Sequence, residues 1–336
     1  MRLFTPVRLF VAGLALLAVV FALLVLPSNE YIFLPDVAHP VAPLVTVQGG
    51  HDPTRGAVYF VDVVLQNATL LDKLTGGALH NGADLYPKQA VDPPGVTSQL
   101  RQQLDQQDMH LSQQIAAAVA LRAAGKKVVM RPVGVRVTFV YQGLPAFGKL
   151  EPGDVIVAVD GKQAPTAIDL RADIRARRIG DVVSLTVRRG KQTLVEKLKT
   201  AGAGTGKNRI PVVGIATEQA LDIHLPLRVS INAGNVGGPS AGVAFALEVM
   251  EELGRDVVHG HKIAATGEIF ADGSIGPIGG IKQKTIGARE AHVDAFLVPA
   301  GDNATEARKY AHGLRIIAVD TFPQALRALA TLGGNG

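Results

Sequence analysis

The sequence predicts a multidomain protein with an N-terminal transmembrane helix, a mainly β middle domain and an α+β C-terminal domain. Residues 9–26 form an uncharged apolar run near the N-terminus. Short strand-like segments separated by turn residues fill the region 128–200. From residue 209 onward, strand-like and helix-like segments alternate. With 336 residues, 47% of them hydrophobic, the chain can bury two or three modest cores.

Composition excludes several functions. The net charge is +5, but basic residues are scattered among acidic ones, tryptophan is absent and aromatic residues are only 5% of the chain. This pattern argues against nucleic-acid binding. Because the chain has no cysteine, it has no disulfide framework, no thiolate zinc site and no thiol nucleophile.

The apolar run at 9–26 follows Arg2 and Arg8. It is at the lower limit for a membrane span and longer than the core of a usual signal peptide, and no A-x-A cleavage site follows it. We therefore expect an uncleaved signal anchor over 8–26, with a removed signal peptide as the alternative. Basic residues before the anchor place the short N-terminus, 1–7, in the cytoplasm. The protein is thus predicted to be a single-pass protein of the cell membrane with its other domains outside.

The segment 27–127 begins with a proline-rich extended stretch and contains a predicted strand at 56–65. Residues 98–124 are predicted to form an amphipathic helix, because apolar residues recur at helical spacing and Gly125 ends the pattern. We find no chemistry in this segment. The helix is expected to pack on a neighbouring domain.

In the middle domain, the stretch GLPAFGKLEPGDVIVAVDGK at 143–162 resembles a bacterial PDZ domain, which we assign to 128–200. The resemblance implies a groove that accepts an extended peptide by adding it to a strand edge. The residues that match the groove lining are Val133, Gly134, Val135 and Val137. The alternative is a PDZ-like domain that has lost its ligand and only spaces or gates its neighbour.

The next stretch, AGAGTGKN at 201–208, is predicted to be a flexible linker. It superficially resembles a phosphate-binding loop. That loop requires glycine where Ala201 stands and serine or threonine where Asn208 stands. We therefore expect no ATP site and no cofactor.

In the C-terminal domain, 209–336, one serine lies where glycine-rich backbone leads into an apolar helix. The stretch GNVGGPSAG places Ser240 directly after Pro239, which suits a first helical turn, and helical spacing of apolar residues begins at Val243. Gly254 is expected to cap the end of that helix. Free amides at a helix N-terminus favour developing negative charge, as in an oxyanion hole. The alternative is a capping serine without catalytic function.

A second segment, GPIGGIKQKTIGAREA at 276–291, is predicted to open a helix with two lysines. Lys284 shares its helical face with small or apolar residues, whereas Lys282 shares its face with Thr285, Ile286 and Arg289. Lys284 is therefore the better candidate for burial. A buried lysine loses its charge readily, so its neutral amine can act as a general base toward a serine hydroxyl.

Three motifs, GGPSAG at 237–242, ATGEI at 265–269 and GPIGGIKQK at 276–284, resemble the proteolytic domain of Lon serine proteases. The order of anchor, PDZ-like domain and Lon-type domain resembles the membrane-anchored PDZ and Lon-like proteases of bacteria. The resemblance implies that Ser240 is the nucleophile and Lys284 the general base. It also implies that Thr266 hydrogen-bonds near the lysine and that the backbone about Gly238 and Ser240 forms the oxyanion site.

Two departures from ATP-driven Lon proteases change the expectation. Those enzymes carry an acidic residue three positions before the serine, where this chain has Gly237, and they carry an ATPase module. We therefore expect an ATP-independent serine endopeptidase that cuts unfolded, flexible or membrane-proximal polypeptides. The expected partners are polypeptide substrates and the membrane, and a homo-oligomer is an expectation from the family.

Other interpretations remain open at the sequence level. GPSAG also fits the nucleophile elbow of α/β-hydrolases, and Asp294 and His312 could then be the acid and the histidine that such a site requires. A trypsin-like PDZ protease would need a nucleophile before the PDZ domain, where no glycine-flanked serine occurs. A non-enzymatic alternative is a scaffold that binds peptides through its PDZ-like domain and has no catalytic activity. The pair His259 and His261 lacks a third ligand, so no metal site is predicted.

Overall fold

The computed structural model describes residues 6–51, 55–92, 97–204 and 209–333. Its first helix is α1 (Pro6–Val25), whose window Arg8–Val25 has a mean hydropathy of 2.6 with no residue buried. By length and composition this helix can cross a membrane, although a signal sequence has the same properties.

The rest of the N-terminal part forms a small antiparallel sheet and several elements that pack against the C-terminal domain. They are β1 (Pro27–Pro35), β2 (His39–Pro40), β3 (Val45–Val47), β4 (Ala57–Phe60), β5 (Val63–Thr69), α2 (Leu70–Thr75), β6 (Asp84–Pro87), α3 (Lys88–Val91) and α4 (Ser98–Ala123). The predicted helix at 98–124 is observed as α4. The predicted strand at 56–65 is broken at Val61 and Asp62, and its halves β4 and β5 join different sheets.

The middle domain is a sheet with the strand order β11-β10-β8-β7-β14 and one helix packed on it. Its elements are β7 (Val129–Val140), β8 (Val155–Val159), β9 (Lys162–Gln163), α5 (Ala167–Arg175), β10 (Val182–Arg189), β11 (Gln192–Lys199), β12 (Ala201–Ala203), β13 (Ile210–Val212) and β14 (Ile215–His224). Alternate residues of β10 (Val183, Leu185 and Val187) are fully buried in a core of their own, as expected for strands with one buried face.

The C-terminal domain is an α/β layer structure around a sheet with the order β2-β4-β16-β19-β20. Its elements are β15 (Val229–Ile231), a 3₁₀ turn (Pro239–Ala241), α6 (Gly242–Glu252), β16 (Lys262–Ala265), β17 (Glu268–Ile269), β18 (Ile275–Gly276), α7 (Ile281–Glu290), β19 (Ala295–Pro299), α8 (Asp302–Tyr310), β20 (Arg315–Val319) and α9 (Phe322–Ala330). The multidomain fold class predicted from the sequence is confirmed. Gly254, with φ 74°, follows α6 as expected.

The boundaries between domains differ from the predicted ones, because elements of the N-terminal part belong to the sheet and the core of the C-terminal domain. Strand β4 pairs in parallel with β16, about 200 residues away in the sequence. Helix α4 packs on α6, and its Met109 and Ile115 lie in the same core as Phe245. Residues 27–127 are therefore not a separate unit, and the middle domain is an insertion in the C-terminal domain.

The stretch 201–208, predicted to be a flexible linker, is in part a strand where the structure describes it. Strand β12 pairs with β13, and residues 205–208 lie outside the described residues. The following strand, β14, belongs to two cores. Its beginning packs through Ile215 on the middle domain, whereas Leu221 and Ile223 pack on the C-terminal core.

Candidate active site

Ser240 lies in the 3₁₀ turn that precedes α6, as the glycine-rich sequence predicts. Gly238 has φ 80°, a conformation that favours glycine, and Pro239 opens the turn. The Ser240 carbonyl accepts hydrogen bonds from the Gly267 amide at 2.8 Å and from Thr266 Oγ1 at 3.1 Å. These two bonds hold the serine backbone against the loop after β16.

Lys284 points at this serine from the first turn of α7. The helix begins after Gly280, whose φ of 68° is left-handed, and the Lys284 amide bonds back to the Gly280 carbonyl. Lys284 Nζ lies 2.7 Å from Ser240 Oγ and donates to the Val61 carbonyl at 2.9 Å. The side chain is only 2% exposed. The break between β4 and β5 thus supplies an acceptor that fixes the amine.

Burial lowers the pKa of Lys284 from its ordinary 10.5 to about 8, and the negative charge of Asp62 opposes this shift only in part. The same burial raises the pKa of Asp62, with the Asp36 carboxylate adding to the effect. A substantial fraction of the Lys284 amine is therefore neutral at slightly alkaline pH, and a neutral amine can accept a proton. Sequence reasoning did not identify Val61 or Asp62, since both lie in what reads as one continuous strand.

Thr266 connects the two groups. Its side chain is fully buried, and Oγ1 accepts a hydrogen bond from Lys284 Nζ at 3.4 Å while donating to the Ser240 carbonyl. The threonine named from the resemblance is thus within reach of both the serine backbone and the lysine.

The Gly238 amide is not free to act as an oxyanion donor in this structure. Its amide donates to the Asp105 carbonyl on α4 at 2.8 Å, so it is already engaged. The expectation for Gly238 is corrected on this ground. The Ser240 amide lies in the first turn of a helical segment, where amides have no partner within the helix, and it is the better candidate.

The four residues expected to line a peptide groove are also corrected. Strand β7 lies between β8 and β14, so its edges are already paired. Val135 and Val137 are completely buried in the core, and a side chain at Gly134 would meet the Ile156 carbonyl at 2.6 Å. Val133 also lies within β7, before the buried valines. These residues build the domain instead of lining a groove.

A cavity of about 460 Å³ lies instead between α5 and the segment 210–217. Apolar side chains line it, and Arg171 and Arg175 also contribute. Strand β14 ends the sheet order among the residues that the structure describes, so its outer edge borders this cavity. The lining includes these side chains: Leu144, Leu170, Ile174 and Ile215.

The histidines considered for other mechanisms lie elsewhere. His292 and His312 are exposed, with left-handed φ, after α7 and α8. The hydrogen-bond partner of Ser240 Oγ is Lys284 and neither of these histidines. Asp36, His39 and Asp62 each offer an atom within 4.8 Å of the others, a spacing that could hold a cation, but Asp36 and His39 already pair with each other at 3.3 Å.

Comparison with known proteins assigns both domains. Residues 194–331 match the Lon protease (S16) C-terminal proteolytic domain, and residues 105–200 match the PDZ domain. The protein therefore combines a PDZ domain with a Lon-type proteolytic domain, as the sequence motifs predicted. The PDZ match begins inside α4 and ends before β14, whereas the structure places α4 in the proteolytic core and β14 in the PDZ sheet.

The relatives of the proteolytic part are Lon proteases. The chain is 36% identical over 134 residues to a Lon protease of Clostridium beijerinckii, covering 38% of this chain and 16% of that protein. It is 26% identical over 178 residues to Lon protease 2 of Bacillus subtilis, covering 51% of this chain and 31% of that protein. The chain therefore spans less than a third of the length of these two relatives.

Among solved structures, the PDZ domain of an SdrC-like protein from Listeria monocytogenes is 26% identical with a TM-score of 0.24, covering 25% of this chain and 87% of that one. The corresponding domain from Listeria innocua is 27% identical with a TM-score of 0.23, covering 25% of this chain and 92% of that one.

Proposed function

We propose that this protein is a membrane-anchored serine endopeptidase in which Ser240 attacks the peptide bond and Lys284 is the general base. The observation that carries the proposal is the 2.7 Å separation between Lys284 Nζ and Ser240 Oγ in a site where the lysine is buried. The match to the Lon proteolytic domain supports the same reaction.

The chemistry follows from these positions. Neutral Lys284 takes the hydroxyl proton as Ser240 Oγ forms a bond to the carbonyl carbon of the substrate, and the carbonyl oxygen becomes an oxyanion near the Ser240 amide. The lysine ammonium then gives its proton to the leaving amine as the peptide bond breaks. Water hydrolyses the acyl-enzyme by the same proton transfers, with Lys284 again as base.

An activity-based serine probe tests the proposal against a scaffold without catalysis. Full-length protein in detergent should be labelled by a fluorophosphonate and should cleave unfolded casein, whereas Ser240→Ala should do neither. Because the expected reaction uses no nucleotide, the rate should be the same with and without ATP. If wild-type protein is neither labelled nor active, the scaffold reading is favoured; dependence on ATP would contradict the nucleotide-free mechanism.

Activity should rise with pH through the pKa of Lys284. The amine must be neutral to accept a proton, and burial sets its pKa at about 8. The logarithm of kcat/KM should therefore increase with a slope near one below that pH and reach a plateau above it. The measurement is hydrolysis of a quenched fluorescent peptide between pH 6 and 10. A profile that is flat across this range, with the protein still folded, would contradict a titrating lysine base.

We further propose that the cavity between α5 and β14 is the peptide groove of the PDZ domain. An extended peptide can pair with the outer edge of β14 while an apolar side chain enters the cavity. Arg171 and Arg175 supply positive charge that complements a terminal carboxylate or acidic side chains. The ligand class is therefore a polypeptide end with an apolar last residue.

Replacing Leu144 by aspartate should weaken peptide binding by at least about tenfold, because a charge would enter the apolar cavity. The matched control is Ile168→Asp, since Ile168 is 76% exposed at the start of α5 and does not line the cavity. The measurement is fluorescence anisotropy with labelled decapeptides that end in each apolar residue. Equal affinities for both variants would place the groove elsewhere.

Anchoring through α1 is part of the same proposal. The helix has no buried residue from Arg8 to Val25, is exposed from Arg8 to Phe21, and is long enough to span a bilayer. We propose that it is retained, with the N-terminus in the cytoplasm and both domains outside, so that substrates near the membrane are accessible. Membrane fractionation after alkaline carbonate extraction should leave the full-length chain in the pellet; a shortened, soluble chain would indicate a cleaved signal peptide.

A further inference from the structure

The PDZ sheet and the serine loop are connected through one largely covered arginine, Arg136. Strand β14 begins at the proposed peptide groove, where Thr217 lines the cavity, and the next residue is Glu218. Glu218 lies opposite Arg136 of β7 and forms an ion pair with it. The ladder between these strands has irregularities on both sides of Glu218, at Ala216/Thr217 and Ala220/Leu221. The position of Glu218 therefore depends on how the groove half of β14 is held.

Arg136 extends the connection to α4. Its guanidinium also pairs with Asp108, and its side chain is only 11% exposed. A small cavity of about 40 Å³ beside it is lined by Asp108, Glu218, Glu268 and Pro239, among others. Two carboxylates thus pair with one guanidinium and a third, Glu268, lines the same cavity, so the arrangement of β14, β7 and α4 depends on that cation staying between Asp108 and Glu218.

Helix α4 in turn holds the loop that carries Ser240. The Asp105 carbonyl accepts the Gly238 amide at 2.8 Å, and Ser112 Oγ donates to the Pro239 carbonyl at 3.0 Å. Both contacts lie on the turn that fixes Ser240, and Asp108 lies between them on α4. A shift of Asp108 would therefore move the anchors of the serine loop.

We propose that Arg136 and Glu218 are positioning residues that couple the peptide groove to the serine loop, so that a peptide paired with β14 raises the rate of hydrolysis at Ser240. The inference rests on the proposed functions of the groove and of the catalytic site, and it adds that binding at the first regulates hydrolysis at the second. In the described sheets β14 pairs through its backbone with β7 alone. A peptide paired along its outer edge would order this strand further, and this order reaches Ser240 through Arg136, α4 and Pro239.

The test uses full-length protein in detergent and a short quenched peptide with an amidated end, which reports the catalytic site alone. The labelled decapeptide that binds most tightly in the anisotropy assay is added without its dye at saturating concentration. For wild-type protein we expect kcat to increase at least threefold. Glu218→Gln removes the charge but keeps the shape. For this variant we expect the same kcat with and without the decapeptide, and an affinity for the decapeptide within threefold of wild type.

The matched control is Glu151→Gln. Glu151 pairs with Arg189 at 3.0 Å in the same domain but is 65% exposed, and Arg189 does not pair with α4 or β14 in the described ion pairs. This variant should keep the threefold stimulation. If bound decapeptide leaves the wild-type rate unchanged or lowers it, or if Glu218→Gln is stimulated like wild type, the coupling is refuted while the hydrolase stands. Absence of decapeptide binding refutes the groove and the coupling, and absence of hydrolysis refutes the proposed function itself.

Discussion

Replacing Ser240 with alanine is expected to lower kcat for peptide hydrolysis by on the order of 10⁴-fold or more, because the attacking oxygen is removed. Replacing Lys284 with methionine should have a similar effect, since methionine fills much of the same volume but cannot accept a proton. The double variant should be no less active than either single variant, because nucleophile and base act as a unit. Initial rates on a quenched peptide, with active-site titration of the wild type, provide the measurement.

The control for Lys284 lies on the same helix. Lys282 bonds to Asp84 at 2.8 Å and to the Ala83 carbonyl at 3.2 Å, away from Ser240. Lys282→Met should therefore keep most of the activity, and so should His312→Ala. Full activity in Lys284→Met would rule out the lysine as base. Loss of activity in His312→Ala would instead favour a histidine mechanism.

Replacing Gly287 with alanine is expected to destabilise the C-terminal domain by about 3 kcal/mol, a loss of roughly 6 to 12 °C in thermal midpoint. A Cβ at this position would lie 1.7 Å from the Asp36 carbonyl oxygen and 3.1 Å from Val61 Cγ1. Both neighbours are fixed, because Asp36 is contacted through backbone and Val61 is buried. Helix α7 would have to move away, and it carries Lys284.

Gly279→Ala is the matched control, because a Cβ there meets nothing within 4 Å. Differential scanning fluorimetry of the two variants checks the prediction, and peptide hydrolysis below the midpoint provides a second readout. Since a displacement of about 1 Å can cost about 100-fold in rate, Gly287→Ala should also lose activity while folded. Equal midpoints for the two variants would show that α7 does not contact Asp36 as described.

The local sequence pattern was sufficient to predict the elements nearest the candidate site. Glycine, proline and helical spacing placed Ser240 before α6, and helical faces separated a buried Lys284 from a paired Lys282. Each of these inferences concerns residues within a few turns of one another, where the chemistry of the intervening chain determines geometry. The apolar N-terminal helix α1 followed in the same way from an uninterrupted apolar run.

The cavity proposed as the peptide groove could not be located in this way. The motif at 143–162 indicated a PDZ domain, but the edge strand comes from β14, which follows the stretch predicted as a linker. Gly134 and its neighbours have the composition of a strand whether the strand lies at an edge or in the middle of a sheet. Only pairing with β14 on one side and β8 on the other decides that β7 is buried.

By itself, therefore, the sequence determined the kinds of domain, the turn before α6 that carries Ser240, the helix that carries Lys284, and the pairing of a serine with a buried lysine as a hypothesis. The tertiary structure alone decided that β4 and α4 complete the C-terminal core, that the Val61 carbonyl and Asp62 surround the amine, and that β14 joins two cores. The physical reason is distance along the chain. Periodicity reports on neighbours a few residues apart, whereas β4 meets β16 across about 200 residues, through burial and backbone pairing that no local pattern encodes.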